Sequence, residues 1–195
     1  TLFRSQSGGV GGIGFELYSL YIKEVLSKLK GVKTPDILPQ DVIVNIYKNA
    51  IIPEKYIPSP SIRISFYRKL SSADTIVDID NIEDELIDRF GPIPNNIKKL
   101  IYNWKVKVSA ASCGILSIEK KGSILSILLC QSTLEHSIES VFKSLPQLST
   151  EIGWEYHFKS KKNDELCILF NIEKNGDISS KVLMFMDKLR VIIKQ

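Results

Sequence analysis

The sequence predicts an α+β fold: an N-terminal long helix and a helical middle, then two strand-strand-helix units forming one sheet covered by helices. Three observations carry this. Apolar residues recur at three- and four-residue steps as far as Gly114, and at every second residue just beyond it. Glycine and proline stand where the period breaks. The order strand, strand, helix then occurs twice, as a repeat of architecture without identity of letters.

The first helix runs from Ile13 to Leu29, with Tyr18, Tyr21, Ile22, Val25 and Leu29 on one side and Glu16, Ser19, Lys23, Ser27 and Lys30 on the other. Gly31 ends it, and Thr34, Pro35, Pro39 and Asp41 read as a linker. Val42 to Tyr47, β-branched and alternating, predict one strand. Pro53, Pro58 and Pro60 then forbid regular structure until a helix starts near Ser61, running from about Ile62 to Ala73 over the ridge Ile62, Phe66 and Leu70. The next helix, about Ile79 to Phe90, sets Ile79, Ile82, Leu86 and Phe90 on one face and stops at Gly91-Pro92 through left-handed capping and a lost donor. Pro94 opens another from Asn95 to Ser112, ended by Gly114.

Beyond Gly114, Ile115 to Glu119 and Ile124 to Leu129 form strands joined through Lys121 and Gly122, followed by a helix from about Leu134 to Leu145. Trp154, Tyr156 and Phe158 alternate along the next strand, and Leu166 to Ile172 return from it. Ile178, Val182, Phe185, Met186, Leu189 and Ile193 line one face of the last helix.

Composition narrows the function classes. With 44% hydrophobic and 25% charged residues among 195, the chain has the balance of a globular protein able to bury a core. No stretch approaches the roughly 18 to 20 apolar residues of a membrane span, and no basic-then-apolar leader opens the sequence. Thr1 in place of an initiator Met predicts a fragment of a longer chain. The net charge of +4 is mild and its Lys and Arg are scattered, unlike the concentrated stripe of a dedicated nucleic-acid domain. Cys113, Cys130 and Cys167, odd in number and set among Ile and Leu, predict buried free thiols in a reducing cytoplasm.

Few residues point to chemistry. The run Gly8, Gly9, Gly11, Gly12 and Gly14 lacks both the following Lys-Ser or Lys-Thr of a phosphate loop and a preceding strand, so it reads as a turn entering a helix. His136 and His157 have no other ligand type at metal-site spacing, and no nucleophile elbow or supported carboxylate pair appears. An enzyme complete within these residues is therefore not expected, nor a cofactor or metal. Trp154, Tyr156 and Phe158 beside Lys159, Lys161 and Lys162 offer an alternative, a nucleic-acid-binding module stacking bases over a lysine-rich turn. The sharper surface feature is Glu85, Asp88 and Arg89 at i, i+3 and i+4, two carboxylates and a guanidinium opposite the Ile82, Leu86 and Phe90 ridge. Such a face suits a partner that presents arginines.

Those residues lie in Glu85-Leu86-Ile87-Asp88-Arg89-Phe90-Gly91-Pro92-Ile93-Pro94, which resembles a signature of the bacterial transcription-repair coupling factor family. Upstream, Ile51-Ile52-Pro53-Glu54-Lys55-Tyr56-Ile57-Pro58 followed by Arg63, Ser65, Tyr67, Arg68 and Lys69 is similar to another segment of that family. Gln6-Ser7-Gly8 and Gly14-Phe15-Glu16-Leu17-Tyr18 resemble the end of its translocation motif, although Phe3 and Arg4 replace the usual Gly and acidic residue. The resemblance implies residues 1–31 as the end of that motif and a connecting helix, 32–41 as a linker, and 42–195 as a C-terminal regulatory domain. It further implies a parent ATP-driven translocase on duplex DNA that displaces stalled RNA polymerase in the cytoplasm and recruits the UvrA repair protein. ATP and Mg would belong to the parent motor, whose motifs this chain lacks. By resemblance, Glu85, Asp88 and Arg89 match positions that hold the domain on the UvrB-like module of the same polypeptide, masking its UvrA-binding surface.

Overall fold

The computed structural model describes residues 37–160, 166–173 and 178–193, excepting the side chains of 131–138 and 160. The predicted first helix, and the linker as far as residue 36, lie outside the described residues.

A 3-10 turn at Pro39–Asp41 leads into β1 (Ile43–Asn45), shorter than the predicted six residues. The chain leaves the sheet through a turn in which Asn49 adopts φ 56°, a value Asn tolerates better than β-branched residues. Helix α1 (Pro60–Ser71) starts on Pro60 itself rather than after it, because the fixed φ and missing donor of proline suit the first helical position. Phe66 and Leu70 are fully buried along it, and Ile62 packs at the margin of the same core.

Helix α2 (Ile76–Phe90) begins three residues earlier than its apolar ridge predicts. Thr75 and Asp78 form a capping box: the Asp78 N–H donates to Thr75 Oγ1 at 3.2 Å, and the Thr75 N–H donates to Asp78 Oδ2 at 2.8 Å. The Thr75 hydroxyl bond, with the backbone bond behind it, holds the Asp78 carboxyl below its ordinary range. At the other end the Gly91 N–H donates to Ile87 O at 2.8 Å. Gly91 has φ 81° and ψ −165°, so its cap has positive φ but is not the left-handed helical turn expected. The Tyr56 hydroxyl closes this end, 2.7 Å from Gly91 O and 3.0 Å from Leu86 O.

Helix α3 (Asn95–Ser112) has the predicted bounds and a double role. Ile97, Leu100, Ile101 and Val108 enter a helical core with Phe66, Leu70, Ile79, Ile82 and Leu86. Tyr102, Val106 and Ala110, on its other side, enter the core beneath the sheet. A helix apolar on both sides is what two cores sharing one wall require.

The sheet runs β1-β2-β3-β5-β4, with β2 (Ile115–Lys121), β3 (Ile124–Leu129), β5 (Leu166–Asn171) and β4 (Glu155–Ser160) each antiparallel to its neighbour in that order and β1 parallel to β2. The β2–β3 register slips between Ile115 and Ser117, and this bulge brings both Ile115 and Ile118 into the core despite their odd spacing. Helix α4 (Gln131–Ile152) continues well past the expected end at Leu145. Pro146 forfeits one backbone donor, but Leu148 and Ile152 still bury and Thr150 Oγ1 donates back to Pro146 O at 2.9 Å. Helix α5 (Ile178–Ile193) buries Ile178, Val182, Phe185, Met186 and Leu189 as predicted. Helices α3, α4 and α5 supply the apolar layer under the sheet, and the two strand-strand-helix units are present as expected.

Candidate interaction surface

Helix α2 turns Ile79, Ile82 and Leu86 into the helical core, so Glu85, Asp88 and Arg89 fall at the surface. Glu85 is the hub. Its Oε1 accepts from Arg89 Nη1 at 2.8 Å, and its Oε2 accepts from Lys69 Nζ on α1. The Lys69 bond leads in holding the Glu85 carboxyl below its usual range; burial opposes it and the Arg89 bond assists. The Arg89 guanidinium, 45% exposed, lies 5.4 Å from the Phe66 ring centre and 5.1 Å from that of Phe90. It is thus fixed between a carboxylate and two aromatic rings.

Asp88 is different: it is exposed and has no ion pair among the described residues. Asp84, one turn earlier, is likewise exposed and unpaired among them, and Val77, 65% exposed, continues the same ridge. Sequence reasoning missed Asp84 and Val77, although the spacing 77, 84, 88 marks one helical stripe. On the other flank, Lys105 of α3 reaches Asp80 at 2.7 Å and Glu83 at 3.0 Å. Burial pushes the Lys105 ammonium down, but those two carboxylates outweigh it and leave its pKa raised. The outer ridge of α2 therefore keeps free carboxylates while both flanks are neutralised from within.

Residues 46–138 match the profile of the TRCF domain family. This stretch is a TRCF domain. It contains α1, α2, α3, the first hairpin and the whole α2 surface. Over 148 residues, 75% of the chain, the sequence is 34% identical to a transcription-repair-coupling factor of Staphylococcus aureus (strain USA300), and 31% identical over the same length to one of Staphylococcus epidermidis. The chain spans 13% of the length of each of these relatives. Its fold is similar to that of a crystal structure of the C-terminal domain of transcription-repair coupling factor, with TM-score 0.65 and 20% identity, covering 79% of this chain and 94% of that one. The resemblance read from the sequence is borne out, and the α+β fold with it.

Among the described residues, no other predicted site residue joins the α2 surface of the TRCF domain. Gln6, Ser7 and Gly8 lie outside the described residues, as do the rest of the glycine run and Lys161 and Lys162. Trp154 is buried, and Tyr156 and Phe158 pack against the sheet core, with the Phe158 ring centre 4.6 Å from that of Phe142. These aromatics are not presented for stacking on bases. Cys113 and Cys167 are buried, whereas Cys130 is only half-buried. No helix among the described residues is long and apolar enough to cross a membrane.

Proposed function

We propose that this TRCF domain is a regulatory clasp within a transcription-repair coupling factor: it packs through the outer face of α2 on the UvrB-like module of the same polypeptide and masks the surface that binds UvrA. The parent protein, in this reading, is an ATP-driven translocase on duplex DNA that displaces stalled RNA polymerase, and the clasp holds it closed until repair is called for. The observation that carries the reading is Asp88, an exposed carboxylate with no ion pair among the described residues, beside an Arg89 already held in place by Glu85, Phe66 and Phe90. A partner's arginine gains a charge-assisted bond at Asp88 without breaking an ion pair found among the described residues.

Masking needs only a modest bias. A free-energy difference of about 2.7 kcal/mol leaves roughly 1% of molecules open, and a polar interface of standard size supplies that. Hydration of the exposed charges keeps the contact reversible. In the full-length protein, Asp88→Arg is expected to raise both UvrA binding and ATPase activity. Asp88 is the cleaner site for this test than Glu85, whose loss would also release Lys69 and Arg89. If neither UvrA binding nor ATPase rate changes in Asp88→Arg, the clasp is not on this face.

A further inference from the structure

Among the described residues, strand β4 is the last strand of the sheet, bonded to β5 on one side only. Apart from that ladder, Glu155–Ser160 make no backbone hydrogen bond among the described residues. Such an edge invites another strand, and proteins commonly guard it with charge. Here the charges are arranged unusually. Glu155, His157 and Lys159 are all exposed on the face of the sheet opposite the helices, while Tyr156 and Phe158 turn toward the helices. Neither Glu155 nor Lys159 has an ion pair among the described residues.

We propose that β4 is a homotypic docking edge, at which a second copy of this chain pairs antiparallel about a two-fold axis through His157. In that register each Glu155 stands opposite the other copy's Lys159, and each Tyr156 opposite the other copy's Phe158. Two opposite-charge pairs and two aromatic pairs form at once, since a two-fold contact counts every pair twice. Moving the axis one residue either way removes the Glu155–Lys159 pair, although an axis on Phe158 sets Glu155 opposite Lys161 in the sequence. An axis on Tyr156 sets Glu155 against His157 and Lys159 against Gly153, and an axis on Phe158 sets Lys159 against His157. A lysine guarding an edge alone repels its own copy, whereas a glutamate four residues before it converts the guard into a key. The result is a ten-stranded sheet continuous across two molecules. An edge contact of five residues per strand lies below the roughly 1,000 Å2 of a stable interface, so the association is weak, with Kd of about 0.1 to 1 mM.

Sedimentation equilibrium of the 195-residue chain up to about 1 mM at low salt tests this. The wild-type weight-average mass is expected to rise toward that of a dimer. Glu155→Lys and Lys159→Glu, each alone, place like charges opposite one another and weaken association about tenfold. An equimolar mixture of the two variants restores it, because each then supplies what the other lacks, and so does the double variant carrying both changes. Restoration also excludes a folding defect as the cause of the loss in the single variants. A wild type that stays monomeric, single variants that associate as well as wild type, or a mixture that stays monomeric would each overturn the proposal.

Discussion

The helical region and the sheet region of this domain share α3 as a common wall, yet α2 in the one and the edge strand β4 in the other treat charge in opposite ways. Around α2, Lys69, Arg89 and Lys105 are each drawn onto Glu85, Asp80 or Glu83, so that the helix flanks are neutralised and the free carboxylates Asp84 and Asp88 are confined to the outer ridge. Along β4, Glu155 and Lys159 stand on the same strand face without intramolecular partners among the described residues. The contrast follows from geometry. Helices packed side by side let long cations reach across to the neighbour, but residues two apart on an edge strand have a neighbour on one side only. The flanks of α2 are settled internally and only its outer ridge is left charged, whereas β4 leaves both Glu155 and Lys159 to whatever meets the edge.

The largest effects should come from breaking the shared wall's two cores. Phe66 fills the helical core and Phe170 the sheet core, and both are fully buried. Each truncated to alanine is expected to cost about 3 to 5 kcal/mol in denaturant unfolding. The two tryptophans report the regions separately: Trp104 packs at the helical core and Trp154 is buried in the sheet core. Because α3 belongs to both, unfolding followed by Trp104 in a Trp154→Phe background and by Trp154 in a Trp104→Phe background should give coincident midpoints, once each is referred to the far-UV signal of the same variant. Within each background, Phe66→Ala and Phe170→Ala should both shift the transition. A midpoint for Trp104 unmoved by Phe170→Ala would mean that the two cores are independent units.

A smaller effect compares the two regions at their turns. A methyl group placed on Gly91 or Gly122 would meet no heavy atom within 4 Å, so only backbone conformation is at stake. Gly91, with φ 81° and ψ −165°, lies where residues with a side chain are strained, and Gly91→Ala should cost about 1 to 3 kcal/mol. Gly122 in the β2–β3 turn has φ 63°, and its replacement by alanine should cost about 1 kcal/mol. Equal losses at the two sites, measured by urea midpoints, would show that the α2 terminus is no more demanding than an ordinary hairpin turn.

Much of the helical region was legible in the sequence because its signals are local. Gly91-Pro92, Pro94 and Gly114 punctuate it, and the ridges Ile79-Ile82-Leu86 and Phe66-Leu70 repeat at helical spacing. What the apolar ridge does not show there, the Thr75–Asp78 capping box, is also local, carried by a hydroxyl and a carboxylate three residues apart ahead of Ile79. The sheet region's two strand-strand-helix units were legible as well, but its finer features were not. A bulge at Ile115–Ser117, a parallel partner for β1 far along the chain, and a helix that survives Pro146 all depend on contacts between distant residues. The α2 surface was half legible: helical spacing places Glu85 outward, but only the position of Lys69, sixteen residues earlier, turns it from a free acceptor into an internal hub. In the proposed clasp, Asp88 takes the role that helical spacing and the family resemblance assign jointly to Glu85, Asp88 and Arg89.

The smallest effect isolates that hub through pH. Glu85 has its folded-state pKa lowered, so the Lys69 and Arg89 contacts favour the ionised carboxylate in the native state more than in the unfolded chain. The stability they contribute is fully present above the unfolded glutamate value, roughly 4.3, and is lost as pH falls through the lower folded value. Glu85→Gln should therefore be less stable than wild type at neutral pH by an amount on the order of 1 kcal/mol or less, since Lys69 and Arg89 are both well exposed. That difference should shrink once the pH drops below about 4 and disappear below the folded pKa, whereas Asp88→Asn, which removes no ion pair found among the described residues, should lose less stability than Glu85→Gln at neutral pH. A gap between Glu85→Gln and wild type that stays constant from pH 7 to pH 3 would place the value of Glu85 in packing rather than charge, and the proposed division between an internal hub and a free outer carboxylate would go with it.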